Sequence, residues 1–227
     1  LEEFGMKILG INGSPRGSES QTLKLVEKVL DGAKENGAEV ELVDLCKLKI
    51  DYCNACGVCY KTGECVHEDD FKEVYDKILE SDGLVLGSPV YFNTVTAQLK
   101  TLIDRMSDAI HCQLLHGKYS CAVSTAGSQG QEEVADYMNS ILIAMGANAV
   151  GRVGAAMSIP ETMEKAEKDA IKLGQNLAEA IENQTTYPEQ EEVHKMMREM
   201  FGSLVKMNKD EWTHEYEHWL TTGWLEE

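Results

Sequence analysis

Long apolar runs are missing from this chain, so no segment reads as a helix able to cross a bilayer, which takes about 20 consecutive apolar residues. No charged n-region followed by an apolar core opens it, and secretion is not expected. Basic residues are scarce. Twenty-one Lys and Arg against 39 Asp and Glu leave a net charge of −18, which argues against general nucleic-acid binding. The deficit does not bar small anions, because backbone dipoles at a helix start outweigh the global field locally. Neither GxxxxGK[ST] nor GxGxxG occurs, no nicotinamide-binding motif is visible, and no Ser/His/Asp arrangement stands out. Internal repeats and low-complexity tracts are absent as well.

What is present is an alternation of short apolar runs and helical stripes. The 227 residues leave room for one α/β domain of roughly 150–180 residues plus an addition. Lys7–Ile11 enters a Gly/Ser/Pro turn as a buried strand. Leu23, Val26, Leu30 and Ala33 then repeat at helical spacing up to Gly37. Glu39–Leu45 alternates like a strand, and Asp69 or Asp70 can cap a helix carrying Phe71, Val74, Tyr75 and Ile78. Gly83–Leu86 is a third strand, and Leu99, Leu102, Ile103, Met106 and Ile110 mark one helix. Ser120–Ser124 is a fourth strand, Val134 to Met145 a helix, Ala149–Met157 a fifth strand, and Pro160 opens a helix running to Ile181.

Strands alternating with helices predict a doubly wound five-stranded parallel sheet over residues 6–183, with ligands at the carboxyl ends of the strands. A helical C-terminal extension follows over 188–227. It carries the apolar stripe Val193, Met196, Met197, Met200, Phe201, Leu204, Val205 and all three tryptophans. Leu1–Gly5 precede Met6 and are assigned to neither unit.

Gly10–Ser18 follows the first strand, and Ser20-Gln21-Thr22 opens the helix. A strand–turn–helix unit presents free N–H groups and the positive helix end to an anion. Ser14, Ser18, Ser20 and Thr22 add hydroxyls and Arg16 a charge-assisted donor, which suits a terminal phosphomonoester. A turn rich in Ser and Gly with no ligand is the plain alternative.

Gly13-Ser14-Pro15-Arg16 with Thr22 resembles the FMN phosphate loop of the NADPH-dependent FMN reductase family, Gln21 standing where many members carry Asn. Gly87-Ser88-Pro89-Val90-Tyr91-Phe92-Asn93, continued by Lys100 and Asp104-Arg105, resembles the loop lining the isoalloxazine ring. Ser124-Thr125-Ala126-Gly127-Ser128-Gln129-Gly130 resembles the second ring-binding loop. The resemblance covers about residues 6–180 and implies a flavodoxin-like fold. It assigns FMN to Ser14, Arg16, Ser18, Ser20, Gln21, Thr22, Pro89, Val90, Tyr91, Phe92, Asn93, Ser124, Thr125, Ala126, Gly127 and Gly130.

Seven cysteines are present, an odd number, and four lie between positions 53 and 65. A secreted disulfide framework fits this poorly, and a reducing, cytoplasmic setting fits better. Thiolates spaced as Cys53-x2-Cys56-x2-Cys59-x5-Cys65 can converge on a cubane core, with Gly57 and Gly63 letting backbone N–H groups approach the sulfurs. The spacing resembles the iron–sulfur flavoproteins, which by that resemblance makes Cys53, Cys56, Cys59 and Cys65 ligands of a [4Fe-4S] cluster beside FMN. Structural zinc and cysteines left empty stay open as alternatives. Cys46, Cys112 and Cys121 are expected as buried core thiols, and His67 as a solvated residue.

These readings make the chain an FMN-dependent oxidoreductase passing electrons between FMN and the cluster. One alternative is an NAD(P)H-dependent FMN or quinone reductase with no working cluster. Another is a redox-sensing electron carrier without a small-molecule substrate. The partners expected are a small-molecule or ferredoxin-type electron donor or acceptor, with NAD(P)H among the donors, and no nucleic acid or membrane. The extension suggests a homo-oligomer, a dimer or tetramer.

Overall fold

The computed structural model describes residues 5–225; Leu1–Phe4 and the extension's last two residues lie outside. Five parallel strands form one sheet in the order β2-β1-β3-β4-β5. They are β1 Lys7–Asn12, β2 Glu39–Asp44, β3 Gly83–Pro89, β4 Tyr119–Ala126 and β5 Asn148–Ala156. The order reverses between β1 and β3, the switch point where such sheets take their ligands.

The middle strands are apolar on both faces, and successive residues serve opposite layers. Leu84 and Leu86 pack with Phe71, Ile78, Leu99, Leu102 and Met138, whereas Val85 packs with Val26, Val29 and Leu177. The first layer comes from α3 Phe71–Glu80, α4 Ala97–Arg105, α5 Ser107–His111 and α6 Gln131–Ala144. The second comes from α1 Gln21–Glu35 and α7 Pro160–Glu182. These two helices meet backbone to backbone. A Cβ on Gly32 would lie 1.9 Å from Ile171 O, and one on Gly174 would lie 1.9 Å from Val29 O.

The single helix expected through Leu99–Ile110 is two. It breaks at Met106 (φ −91°, ψ 31°), whose N–H donates to Ile103 O in a tighter turn. Polar residues flanking the break have buried partners off the helix line: Arg105 pairs with Asp69, and Asp108 accepts from the Tyr75 hydroxyl at 3.0 Å. Apolar periodicity alone carries no sign of this.

The extension forms α8 Pro188–Met207 and α9 Thr213–Thr221. Part of its apolar stripe packs within the chain, where Phe201, Val205 and Trp219 gather Met197, Leu204, Trp212, Tyr216 and Ile110, while Met196 and Met200 are exposed. Trp219 Nε1 donates to His111 O at 3.1 Å. Gln190 also serves edge strand β5: its amide accepts Ala149 N–H and donates to Ala149 O, both at 2.8 Å. That satisfies polar groups a bare edge would leave open. No described helix is long and apolar enough to cross a membrane.

Candidate functional site

Three loops leave β1, β3 and β4 on one rim and are tied to each other. Gly13 N–H donates to Gly87 O at 2.8 Å, and Val90 N–H to Thr125 O at 2.8 Å. The Thr96 hydroxyl donates to Gly13 O (2.6 Å) and accepts Leu99 N–H, capping α4. Thr22 and Thr125 share a buried hydroxyl–hydroxyl bond of 2.6 Å. A Cβ at Gly13 would stand 2.8 Å from Leu99 Cβ, so only glycine lets the first loop approach α4 this closely.

In the first loop the buried Asn12 amide accepts Ser14 N–H (3.1 Å) and donates to Asp44 (3.0 Å). The Ser14 hydroxyl accepts Arg16 N–H, and Ser20 Oγ accepts Leu23 N–H at 3.0 Å as the N-cap of α1. Ser14, Ser20 and Thr22 are buried and shape the loop, while Arg16 and Ser18 are exposed and Gln21 is half-buried. The first N–H groups of α1 have no intrahelical acceptor, and a helix start of this kind is suited to an anion.

The second loop turns tightly. Tyr91 N–H donates to Thr94 O and Thr94 N–H to Tyr91 O, with Phe92 (φ 48°) and Asn93 (φ 62°) both left-handed. That conformation costs a phenylalanine about 1–2 kcal/mol, and it leaves the Phe92 ring wholly exposed. Pro89 and Val90 are half-buried below it, and Tyr91 is exposed. Backbone strain of this kind collects at binding sites. In the third loop Ser124, Thr125 and Ala126 are buried and Gly127, Ser128 and Gln129 exposed, with Gly130 left-handed at φ 93°. Met157 N–H to Ala126 O and Ser158 N–H to Gly127 O, both 2.8 Å, fix it to the end of β5.

The cysteine segment lies beyond the other end of α4. Arg105 donates to Asp51 O (2.7 Å) and to both Asp69 oxygens (2.8 and 3.2 Å), and Asp51 N–H donates to Asp69 at 2.8 Å. Its guanidinium lies 4.4 Å from the Phe71 ring centroid. The segment is thus closed at its base. Between, Ala55, Gly57 and Gly63 are left-handed around α2 Val58–Thr62, so the chain coils tightly. Cys53 and Cys56 are exposed, Cys59 and Cys65 half-buried, and none is in a disulfide. Burial pushes the Cys59 thiol up to about 11, against the bond to Ser107 that favours the thiolate. A cavity of about 530 Å³ adjoins, lined by Cys59, Cys65, Phe71, Tyr75, Arg105 and His214.

Four soft donors on one coiled segment, with Ala55 N–H directed at Cys53 Sγ (3.4 Å), suit an iron–sulfur cluster. Asp51, His67 and Asp69 also bring ligand atoms within 4.8 Å of one another. Asp69 is committed to Arg105, however, and a cation there would face a guanidinium. Burial would raise the Asp69 carboxyl, but Arg105 and the Asp51 and Phe71 N–H groups outweigh it and hold it below the usual range.

Two expectations need correction. Cys46 is exposed rather than buried: it follows the edge strand β2, and its thiol donates to Asp44 at 3.2 Å. Cys112 and Cys121 are buried as expected. His67 is half-buried rather than solvated, its Nε2 enclosed without a hydrogen-bond partner. Asn12, Asp44, Thr96 and Asp69 escaped the sequence reading as parts of the sites. They act by orienting backbone, and only their places at strand ends and helix starts could have marked them.

A switch-point rim of three loops on a 2-1-3-4-5 parallel sheet defines a flavodoxin-like protein. The chain belongs to the NADPH-dependent FMN reductase family, whose model matches residues 6–162, and is a flavin-dependent oxidoreductase. It is 37% identical over 222 residues to an iron–sulfur flavoprotein of Archaeoglobus fulgidus, covering 97% of this chain and 100% of that one. A second relative, an iron–sulfur flavoprotein of Methanocaldococcus jannaschii, is 40% identical over 134 residues, 57% of this chain and 67% of the relative. A solved NADH:FMN oxidoreductase superposes with TM-score 0.59 at 22% identity, over 82% of this chain and 93% of its own. An archaeal flavodoxin does so with 0.53 at 16%, over 78% and 99%. These structures share the fold.

Proposed function

We propose that the chain is an iron–sulfur flavoprotein, holding FMN on the three-loop rim and a [4Fe-4S] cluster on Cys53, Cys56, Cys59 and Cys65. The carrying observation is the place of α4. Its cap Thr96 is bonded into the flavin rim, and its last residue, Arg105, clamps the base of the cysteine segment. Nine residues at about 1.5 Å each separate the ends by roughly 13 Å. When bound, FMN supplies a carrier able to take two electrons and the cluster one that moves them singly. The protein's part is orientation: Ser18, Arg16 and the α1 N–H groups meet the phosphate, and the Tyr91–Asn93 turn and Ala126–Gly130 flank the ring. The electron donor or acceptor is a small molecule or a ferredoxin-type protein, NAD(P)H among the donors.

Anaerobic reconstitution with iron and sulfide tests this. The expected product has broad visible absorption bleached by dithionite, about four irons per chain, and FMN bound besides. Cys53→Ser and Cys56→Ser should lose the iron and keep the flavin. Zinc or no metal in wild type, with NADPH turnover unchanged by those substitutions, would instead make it a reductase without a cluster. Negligible NAD(P)H oxidation with rapid exchange to ferredoxin would mark a carrier. The rim also exposes Tyr91, Phe92, Met157 and Ile159, and the reading includes a homo-oligomer that covers them, checked by native mass.

A further inference from the structure

Helix α2 carries Cys59 yet has five residues and none of its own buried. One helical turn does not hold itself together in water. What lies against it is the start of α9. The Tyr60 ring sits 4.8 Å from those of both His111 and Trp212, and His111 and Trp212 stack at 5.1 Å. The Thr213 hydroxyl donates to Lys61 O at 3.2 Å, a carbonyl that so short a helix leaves open. His214 occupies the space beside Gly63: a Cβ there would lie 2.5 Å from the ring. Glu215 is fully buried, its carboxylate 3.1 and 3.2 Å from His111 Nδ1. A buried carboxylate on a histidine indicates a fixed contact, because opening it would strand a charged group.

We propose that the Trp212–Glu215 segment closes the cysteine site, with His214 as the wall that keeps solvent and small reagents from the sulfurs of Cys59 and Cys65. The inference rests on the cluster reading above. His214 lines the same cavity as both thiols, and Gly63 is where a side chain would push it away. Trp212 and Thr213 hold the α2 turn, and the Glu215–His111 pair anchors the segment to α5. The segment thereby acts as a positioning element for the cysteines.

The test uses full-length protein, reconstituted anaerobically, with iron release to a colorimetric ferrous chelator followed over time and FMN affinity measured in parallel. His214→Ala should speed iron release on the order of tenfold, the low end for residues supporting metal ligands. His214→Phe, which restores bulk without a ring nitrogen, should return it toward wild type. Thr213→Val, a milder change at an exposed position, should speed release less. FMN affinity should stay the same in all three. Equal release rates in loaded wild type and His214→Ala would overturn the inference while leaving the cluster in place. So would failure of His214→Phe to restore the rate, or loss of FMN together with iron. Wild type that takes up no iron would overturn both the cluster reading and this one.

Discussion

Arg105 and Asp69 form a two-pronged ion pair at 2.8 and 3.2 Å in which each side chain is 1% exposed. The pair joins the end of α4 to the start of α3, and through Asp51 O it draws both ends of the cysteine segment together. Burying two charges is costly, and the pair repays that only while both members are present.

Asp69→Asn should therefore cost about 3–5 kcal/mol in urea unfolding, because it leaves a guanidinium buried beside a neutral amide. The pH dependence has a definite sign. The folded carboxyl is held below its ordinary value, so its stabilisation is complete above about pH 4 and fades as pH falls through the folded value. Wild type and variant should differ most near neutrality and converge in acid. Parallel curves over that range would show that the ionised carboxylate is not the source.

The loop proposed to hold the phosphate offers a separate check. Asp44 holds the Asn12 amide, which in turn holds Ser14 N–H. Asp44→Ala frees that amide and should weaken FMN binding about two- to tenfold, the effect of one hydrogen bond of about 0.5–1.5 kcal/mol. Riboflavin, which lacks the phosphate, should bind as before. Fluorescence-quenching titrations with both flavins measure this, and equal losses would place the effect elsewhere.

Much of the fold was legible because it is local. Lys7–Asn12, Gly83–Pro89 and Tyr119–Ala126 are short apolar runs ended by Gly, Ser or Pro, and each feeds a rim loop. The break at Met106 was not legible, since Leu102, Ile103 and Met106 keep helical spacing across it. Its partners Asp69 and Tyr75 lie some 30 residues back in the chain. Cys46 misled for a related reason: composition favours burial of free thiols, but β2 is an edge strand. The cysteine spacing announced four soft donors. The α9 wall was invisible because His214 and Gly63 meet only through tertiary packing.

Thiol chemistry should sort six of the seven cysteines. In iron-free native protein Cys53 and Cys56 are exposed and should react quickly with a disulfide reagent at pH 8, ahead of Cys46, which is also exposed but whose thiol is pushed up by partial burial of the sulfur and its bond to Asp44. Cys59, pushed up to about 11, is about one part in a thousand ionised at that pH and should lag well behind. Cys112 and Cys121, whose thiols burial also pushes up, should react only on unfolding. Mass spectrometry of time points gives the order. Fast modification of Cys121 would mean that the sheet opens near β4 in the native state.

The contact between α1 and α7 gives the sharpest stability prediction, because propensity and packing disagree in sign there. Alanine in a helix interior is favoured over glycine by about 1 kcal/mol, so Gly32→Ala and Gly174→Ala would stabilise if space allowed. It does not: each new Cβ would lie 1.9 Å from a backbone oxygen of the facing helix, and backbone cannot rotate aside as a side chain can. Each substitution should force the helices apart and lower stability by about 1–3 kcal/mol or more. Both clashes are relieved by the same separation, so the double variant should cost less than the sum of the two. Denaturant unfolding of the three variants decides it. A stabilised single variant, or strict additivity in the double, would show that α1 and α7 are not held backbone to backbone.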